Sequence, residues 1–391
     1  MRGMSSFPAI FLINSLGIGG AERAVMTLTS ELCELGRDMR LLCLERAPVD
    51  EALVPRVSPQ LLSRMSSTAP ALLKLAALPF LAVRLCRYIS RENAGVVASH
   101  LFRANFVNVL AKVLASVRHR CIVVNHTRLS RLQHEGFQGR INWMLCKWLY
   151  PRADLVANVS AGAATESAGL LGLPPERSIV LHDPIDTRVA AFSTREREPG
   201  RMIVGVGRLI RLKRYQDLID AFGAIAGDYS DLELRLVGDG PCRKELERRA
   251  FESGIGSRVK FTGKLADPFF VLAGSTAFVS TSETEGFGMA IVEALAAAVP
   301  VVASDCAYGP REILSPSSDC RQLLQPGADI ELAQFGILYP VGSVSALEKA
   351  LRALLGNDAL RADLSRKGPV RATDFAVHKS AAAYERVLFP A

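Results

Sequence analysis

The chain has no C-x-x-C pair among its eight cysteines and no Cys/His spacing that would hold zinc. Thiols at 33, 43, 86, 121, 146, 242, 306 and 320, several inside apolar runs, read as buried reduced side chains of a cytoplasmic protein. A bilayer-spanning run is missing too. The uncharged apolar run over residues 75–83 contains Pro79 and is too short to cross. The apolar start at residues 7–13 passes straight into a glycine turn, so it reads as a first strand rather than a leader. No basic-plus-aromatic reader module supports nucleic-acid binding. The dinucleotide fingerprint also fails. Gly17, Gly19 and Gly20 follow the first strand without the third-glycine spacing, and Glu45 is a weak acidic candidate after the second.

What is present suits an α/β protein. A length of 391 residues allows two domains with full cores, and 49% hydrophobic with 22% charged residues is ordinary for that class. The charge is uneven. Residues 1–190 carry 22 Lys and Arg against 14 Asp and Glu, whereas the remainder carries 25 of each, so the whole excess of +8 lies in the first half. Such a half can face anionic lipid or an anionic substrate, or be a scattered solvated surface.

Strand, glycine loop, helix and strand alternate along the chain. Residues 9–13, 39–44, 96–99, 121–124, 155–160 and 179–181 read as strands of a first sheet. Residues 71–91 read as a helix, either packed on that sheet or lying on a membrane. His100 and His126 each follow a strand, where ligands of parallel sheets bind. Residues 182–186 read as an extended linker because Pro184 keeps Asp183 out of the helical region. Residues 202–206, 232–237 and 259–262 open a second sheet.

Chemistry concentrates on residues 280–304. A strand ends there, a loop holding Gly286 and Gly288 follows, then a helix and a second buried strand. The unpaired amides and positive dipole end of a helix start suit a phosphate. Glu285 and Glu293 flank that start and suit hydroxyls of a sugar or ribose better than a phosphate. Arg208 and Lys213 follow the strand 202–206. A planar fork and a point charge together suit a diphosphate. Arg211 and Arg214 read as solvated.

On these residues the sequence resembles the retaining glycosyltransferases of family 4, which have the GT-B fold. Glu285-Gly-Phe-Gly-Met-Ala-Ile-Val-Glu293 matches the family's E-x7-E motif, and Val206-Gly-Arg-Leu-Ile-Arg-Leu-Lys213 its phosphate loop. Gly238-Asp-Gly-Pro241, Pro300-Val-Val-Ala-Ser304 and Gly336-Ile-Leu-Tyr-Pro340 follow in the expected order, and Gly17-Ile-Gly-Gly-Ala-Glu-Arg23 resembles its acceptor-side loop. The resemblance implies two doubly wound Rossmann-like domains facing across a cleft: residues 1–187 on the acceptor side and 188–370 for the nucleotide sugar, with a helix about 371–391 packing back on the first. It implies a catalytic set of His126, Glu285, Arg208 and Lys213. The donor would be held by Gly19, Gly20, Gly207, Arg208, Lys213, Lys264, Glu285, Gly286, Phe287, Gly288 and Glu293. In that scheme Glu293 bonds the ribose, Glu285 the transferred sugar, and His126 contacts the donor sugar.

No metal or other cofactor is expected, since no convincing D-x-D motif is present. Many relatives carry Asn-Pro-x-Asp where this chain has Asp183-Pro-Ile-Asp186, so Asp183 is not expected to be a direct ligand. Asp305-Cys-Ala-Tyr-Gly-Pro-Arg-Glu312 resembles bacterial members using UDP-hexosamine or UDP-hexose donors. The implied reaction moves a sugar from such a donor to a lipid-linked or polysaccharide acceptor, a polyprenyl-diphosphate glycan for example. It would take place in the cytoplasm, peripherally at an anionic membrane surface, with no nucleic acid involved. A sugar-nucleotide epimerase and a non-catalytic nucleotide-sugar or glycan-binding protein remain as alternatives.

Overall fold

The computed structural model describes residues 7–17, 19–46, 57–114, 118–185, 201–265 and 269–390. The chain forms two compact units, Met1–Pro184 with Val377–Ala391, and Ile185–Ala376. The expected boundary between 187 and 188 lies outside the described residues.

The first unit is built on seven parallel strands: β1 (Ala9–Ile13), β2 (Met39–Cys43), β3 (Gln60–Leu61), β4 (Val96–His100), β5 (Arg120–Asn125), β6 (Leu155–Asn158) and β7 (Ser178–Val180). Their order is β3-β2-β1-β4-β5-β6-β7, so the winding reverses between β1 and β4. All five residues of β1 are buried, as expected of a central strand covered on both faces. Alternate residues of the sheet, Ile10, Leu12, Val97 and Val123, share one core with helices Leu78–Glu92, Phe102–Leu114 and Gly136–Leu149. Phe11 points the other way, onto Tyr384 of the last helix, Val377–Leu388.

The single helix expected over 71–91 is two, Ala71–Ala76 and Leu78–Glu92. Pro79 lacks an N–H and its ring crowds the carbonyl four residues back, so it sits in the first turn of a new helix. The second helix packs on the sheet through Leu81, Leu85 and Ile89, whereas the first has no buried residue. Leu72, Leu73, Phe80 and Val83 remain exposed. Among the described residues no helix is long and apolar enough to cross a membrane.

The second unit repeats the plan with β8 (Arg201–Val206), β9 (Leu232–Val237), β10 (Val259–Gly263), β11 (Ala277–Ser280), β12 (Val301–Ser304), β13 (Glu331–Ala333) and β14 (Gly336–Tyr339). The order is β10-β9-β8-β11-β12-β14-β13, reversing between β8 and β11, with β13 an antiparallel edge. Ile203, Leu234, Val279 and Val302 form a core with helices Tyr215–Ala226 and Val344–Leu355. Among the helices that the sequence reading did not include is Asp358–Ala372. Its apolar residues follow no helical stripe, and Gly368-Pro369 would argue against it. It forms because Gly368 lets it press on helix Met289–Ala296; a Cβ there would lie 2.9 Å from the Leu295 carbonyl oxygen.

Candidate active site

In open α/β sheets, ligands bind outside the carboxyl ends of the strands where the winding reverses. In the second unit the loops after β8 and β11 flank that point. The Thr281 hydroxyl donates to the Lys213 carbonyl (2.5 Å), and the Glu283 amide to the Leu212 carbonyl (2.8 Å). The loop after β12 is tied in as well. The Glu285 amide donates to the Ala307 carbonyl (3.1 Å) and the Tyr308 amide to the Glu285 carbonyl (3.3 Å). Gly309 allows that closeness: a Cβ on it would lie 1.7 Å from the Phe287 carbonyl oxygen, and its φ is +102°. Buried Arg311 holds buried Asp305 at 2.6 Å and so fixes the end of this third loop.

On this frame Lys213 Nζ donates to Glu285 Oε1 at 2.5 Å, and the Ser282 hydroxyl donates to the same oxygen at 2.6 Å. The sequence reading gave these two residues separate ligands; the structure places them in contact. A diphosphate that drew Lys213 away would keep the ammonium paired with an anion. Arg208 is exposed and makes no ion pair among the described residues. Gly288 caps helix Met289–Ala296 with φ 104° and ψ 48°, a conformation that favours glycine. Gly286 and Phe287 lead into that turn, and Glu293 is buried in the helix at 3% exposure. Gly207 begins the β8 loop. A Cβ on Gly238 would meet its carbonyl oxygen at 1.9 Å, and the Gly238 amide donates to the Gly263 carbonyl (2.8 Å). Lys264, exposed, follows Gly263 and so belongs to β10, two strands out from β8. Of the cations expected to be solvated, Arg211 is exposed, but Arg214 binds buried Asp217 at 2.7 Å.

The remaining expected residues belong to the first unit. Gly19 is the N-cap of helix Gly20–Glu34, which starts after β1. His100 ends β4 and His126 follows β5. Pairing of adjacent strands aligns them, and His126 Nε2 stands 2.9 Å from His100 Nδ1. His126 Nδ1 stands 3.2 Å from Asp183 Oδ2. Burial works to lower the His126 pKa, but the charge and hydrogen bond of Asp183, with the charge of Glu22, raise it above the usual value. Burial, and then the charge on His126, hold His100 well below its usual value. These two contacts join Asp183, His126 and His100 in one buried chain. Both ring nitrogens of His126 are thereby occupied within the protein. Asp183 had been set aside as a ligand; its structural partner is this histidine. The contact joins residues 57 apart, and only strand pairing and the chain's return after β7 reveal it.

Among the described residues no group of three His, Cys, Asp or Glu stands ready to hold a metal ion. Two family models divide the chain between them: glycosyltransferase family 4 over residues 18–189 and glycosyl transferases group 1 over 186–371. The chain belongs to the group 1/family 4 glycosyltransferases. This glycosyltransferase is 27% identical, over 93% of its length and 94% of the relative's, to a Campylobacter jejuni protein. That relative is the N-acetylgalactosamine-N,N'-diacetylbacillosaminyl-diphospho-undecaprenol 4-alpha-N-acetylgalactosaminyltransferase. It is 28% identical to the lipopolysaccharide core biosynthesis glycosyltransferase LpsD of Rhizobium meliloti, over 90% and 89% of the two chains. Its fold matches crystalline Anabaena HepE with UDP and glucose at a TM-score of 0.76, with 21% identity over 98% and 99% of the chains. Two Rossmann-like units in this arrangement of sequence make the glycosyltransferase fold GT-B.

Proposed function

We propose that the enzyme transfers a hexosyl or hexosaminyl group, with retention, from a UDP-sugar to a lipid-linked or polysaccharide acceptor. The observation that carries this is the Lys213–Glu285 contact beside the Gly288-capped helix, at the winding reversal of the second unit. Lys213 and Arg208 would take the diphosphate and stabilise charge as it leaves. Glu285, released from Lys213, would accept hydroxyls of the transferred sugar, and Glu293 those of the ribose. The bond between the anomeric carbon and the leaving phosphate oxygen breaks as the acceptor oxygen bonds that carbon on the same face. The acceptor's proton passes to the leaving phosphate. His126 would act on the donor sugar, the role that the family resemblance implies. The UDP-bound fold neighbour and the diphospho-undecaprenol acceptor of the Campylobacter relative support this assignment.

The reaction needs no metal in this scheme, and unchanged transfer in EDTA is the check. Thermal protection by UDP-sugars but not GDP-sugars tests the donor, and the anomeric configuration of the product tests retention. Conversion of donor without acceptor would replace this reading with an epimerase. Exposed Leu72, Leu73 and Phe80, with Arg84 5.6 Å over the Phe80 ring, support peripheral binding to an anionic bilayer at the cytoplasmic face. Co-sedimentation with neutral and anionic liposomes alike would remove that part.

A further inference from the structure

The first unit holds a cavity of about 680 Å³ at the carboxyl ends of β1 and β2, lined by Glu45, Arg46, Arg64 and Ser66 among others. Its floor is charged in an unusual way. Glu45 Oε1 binds both Arg103 Nη2 (2.6 Å) and Lys74 Nζ (3.4 Å), with the carboxylate 5% exposed. Two nearly buried cations thus share one acid. Glu45 Oε2 is buried with no hydrogen-bond partner. Arg46 and Arg64 are exposed and make no ion pair among the described residues. Ser66 and Thr68 hydroxyls lie 2.8 Å apart beside them. Lys74 and Arg103 also line a second, smaller recess with Asn14, Gln138 and Asn142.

Arg46 and Arg64 on the lining, with Lys74 and Arg103 paired to Glu45, leave this part of the unit positive and account for part of the first half's charge excess. A neutral sugar would leave Arg46 and Arg64 unused, and a bare anion would leave the Glu45 oxygen without a donor. We infer that this cavity binds a sugar carrying an oxyanion, its anion on Arg46 and Arg64 and a hydroxyl on Glu45. The oxyanion is a phosphate or a carboxylate, both of which a guanidinium fork matches. In the proposed reaction this would be the acceptor's site, so the inference rests on that reading.

The test is calorimetry on the full chain, first with UDP, then with UDP saturating and glucose 1-phosphate, glucuronic acid or glucose as titrant. At least one anionic sugar should bind, with glucose weaker by about tenfold or more. A phosphate-only response would assign a phosphate-linked acceptor, and a glucuronate-only response an acidic polysaccharide. Arg46→Gln combined with Arg64→Gln should cost about tenfold in the anionic sugar's affinity with UDP affinity intact. Glu45→Gln should weaken it while retaining that UDP control. Equal binding of glucose, or an unaltered Arg46/Arg64 variant, overturns the inference. Failure of UDP itself to bind overturns the UDP-sugar donor proposed above; UDP binding without anionic-sugar binding overturns only this site.

Discussion

Both units reverse their winding at the sheet centre, yet they furnish that point differently. The second unit uses backbone. Three loops are strapped by amide–carbonyl bonds, a left-handed glycine caps a helix, and the Lys213–Glu285 ion pair stands beside them. The first unit uses side chains: a buried Asp183–His126–His100 chain, and a cavity where cations outnumber acids. Backbone amides are indifferent to side-chain substitution, so they suit an anion that must always be held. Side chains can be exchanged one at a time, so they suit a ligand that differs between related enzymes.

The largest effect that would break this comparison is Lys213→Ala. Loss of a group stabilising developing charge should cut kcat by about 10²–10³; near-normal turnover would show that the second unit's cation is dispensable. His126→Ala comes next. It should lower transfer by about 10² or more while UDP affinity stays near wild type in calorimetry. An equal loss of UDP affinity would erase the division of labour between units.

Gly309→Ala probes the backbone side alone. Its φ of +102° and the Phe287 carbonyl leave no room for a methyl group. A destabilisation of about 1–3 kcal/mol in urea melts, with weakened UDP binding, is expected.

Asp183→Asn sharpens the side-chain half through pH. His126 has its folded pKa raised above the ordinary 6.5. Its charged form therefore adds stability that is complete below 6.5 and lost as pH rises through the higher folded value. Asp183→Asn should erase the wild type's excess stability in that window, seen as Tm against pH, and move the histidine's NMR titration downward. An unaltered titration would remove Asp183 as the cause. The smallest effect belongs to Arg211→Ala. This exposed cation lies on the site's loop and makes no ion pair among the described residues, and its loss should alter stability by less than about 0.5 kcal/mol and leave donor KM unchanged.

Much of the fold is legible in local pattern. The apolar run 9–13 is a central strand because only a strand covered on both faces tolerates unbroken apolar sequence, whereas 232–237 alternates apolar and charged residues and forms β9, next to the edge. Gly36, with φ +79°, stands just past the end of helix Gly20–Glu34, where a left-handed residue commonly closes a helix. Helix Asp358–Ala372 escaped because its partner, not its own periodicity, makes it helical. The split at Ala77 was hidden in a run whose composition favours helix on both sides of Pro79.

By itself, the sequence determined the alternation of strands and helices, the glycine turns at strand ends, and the placing of Arg208, Lys213, Glu285 and Glu293 in loops or helix starts after strands. These depend on neighbours within a few residues. Only the tertiary structure decided that Lys213 faces Glu285 across 72 residues, that Asp183 belongs to His126, and that one carboxylate at Glu45 holds Lys74 and Arg103. Charge pairing acts over a few ångströms of space and carries no mark in sequence spacing. It becomes readable once strand order brings the chain's distant loops to one edge.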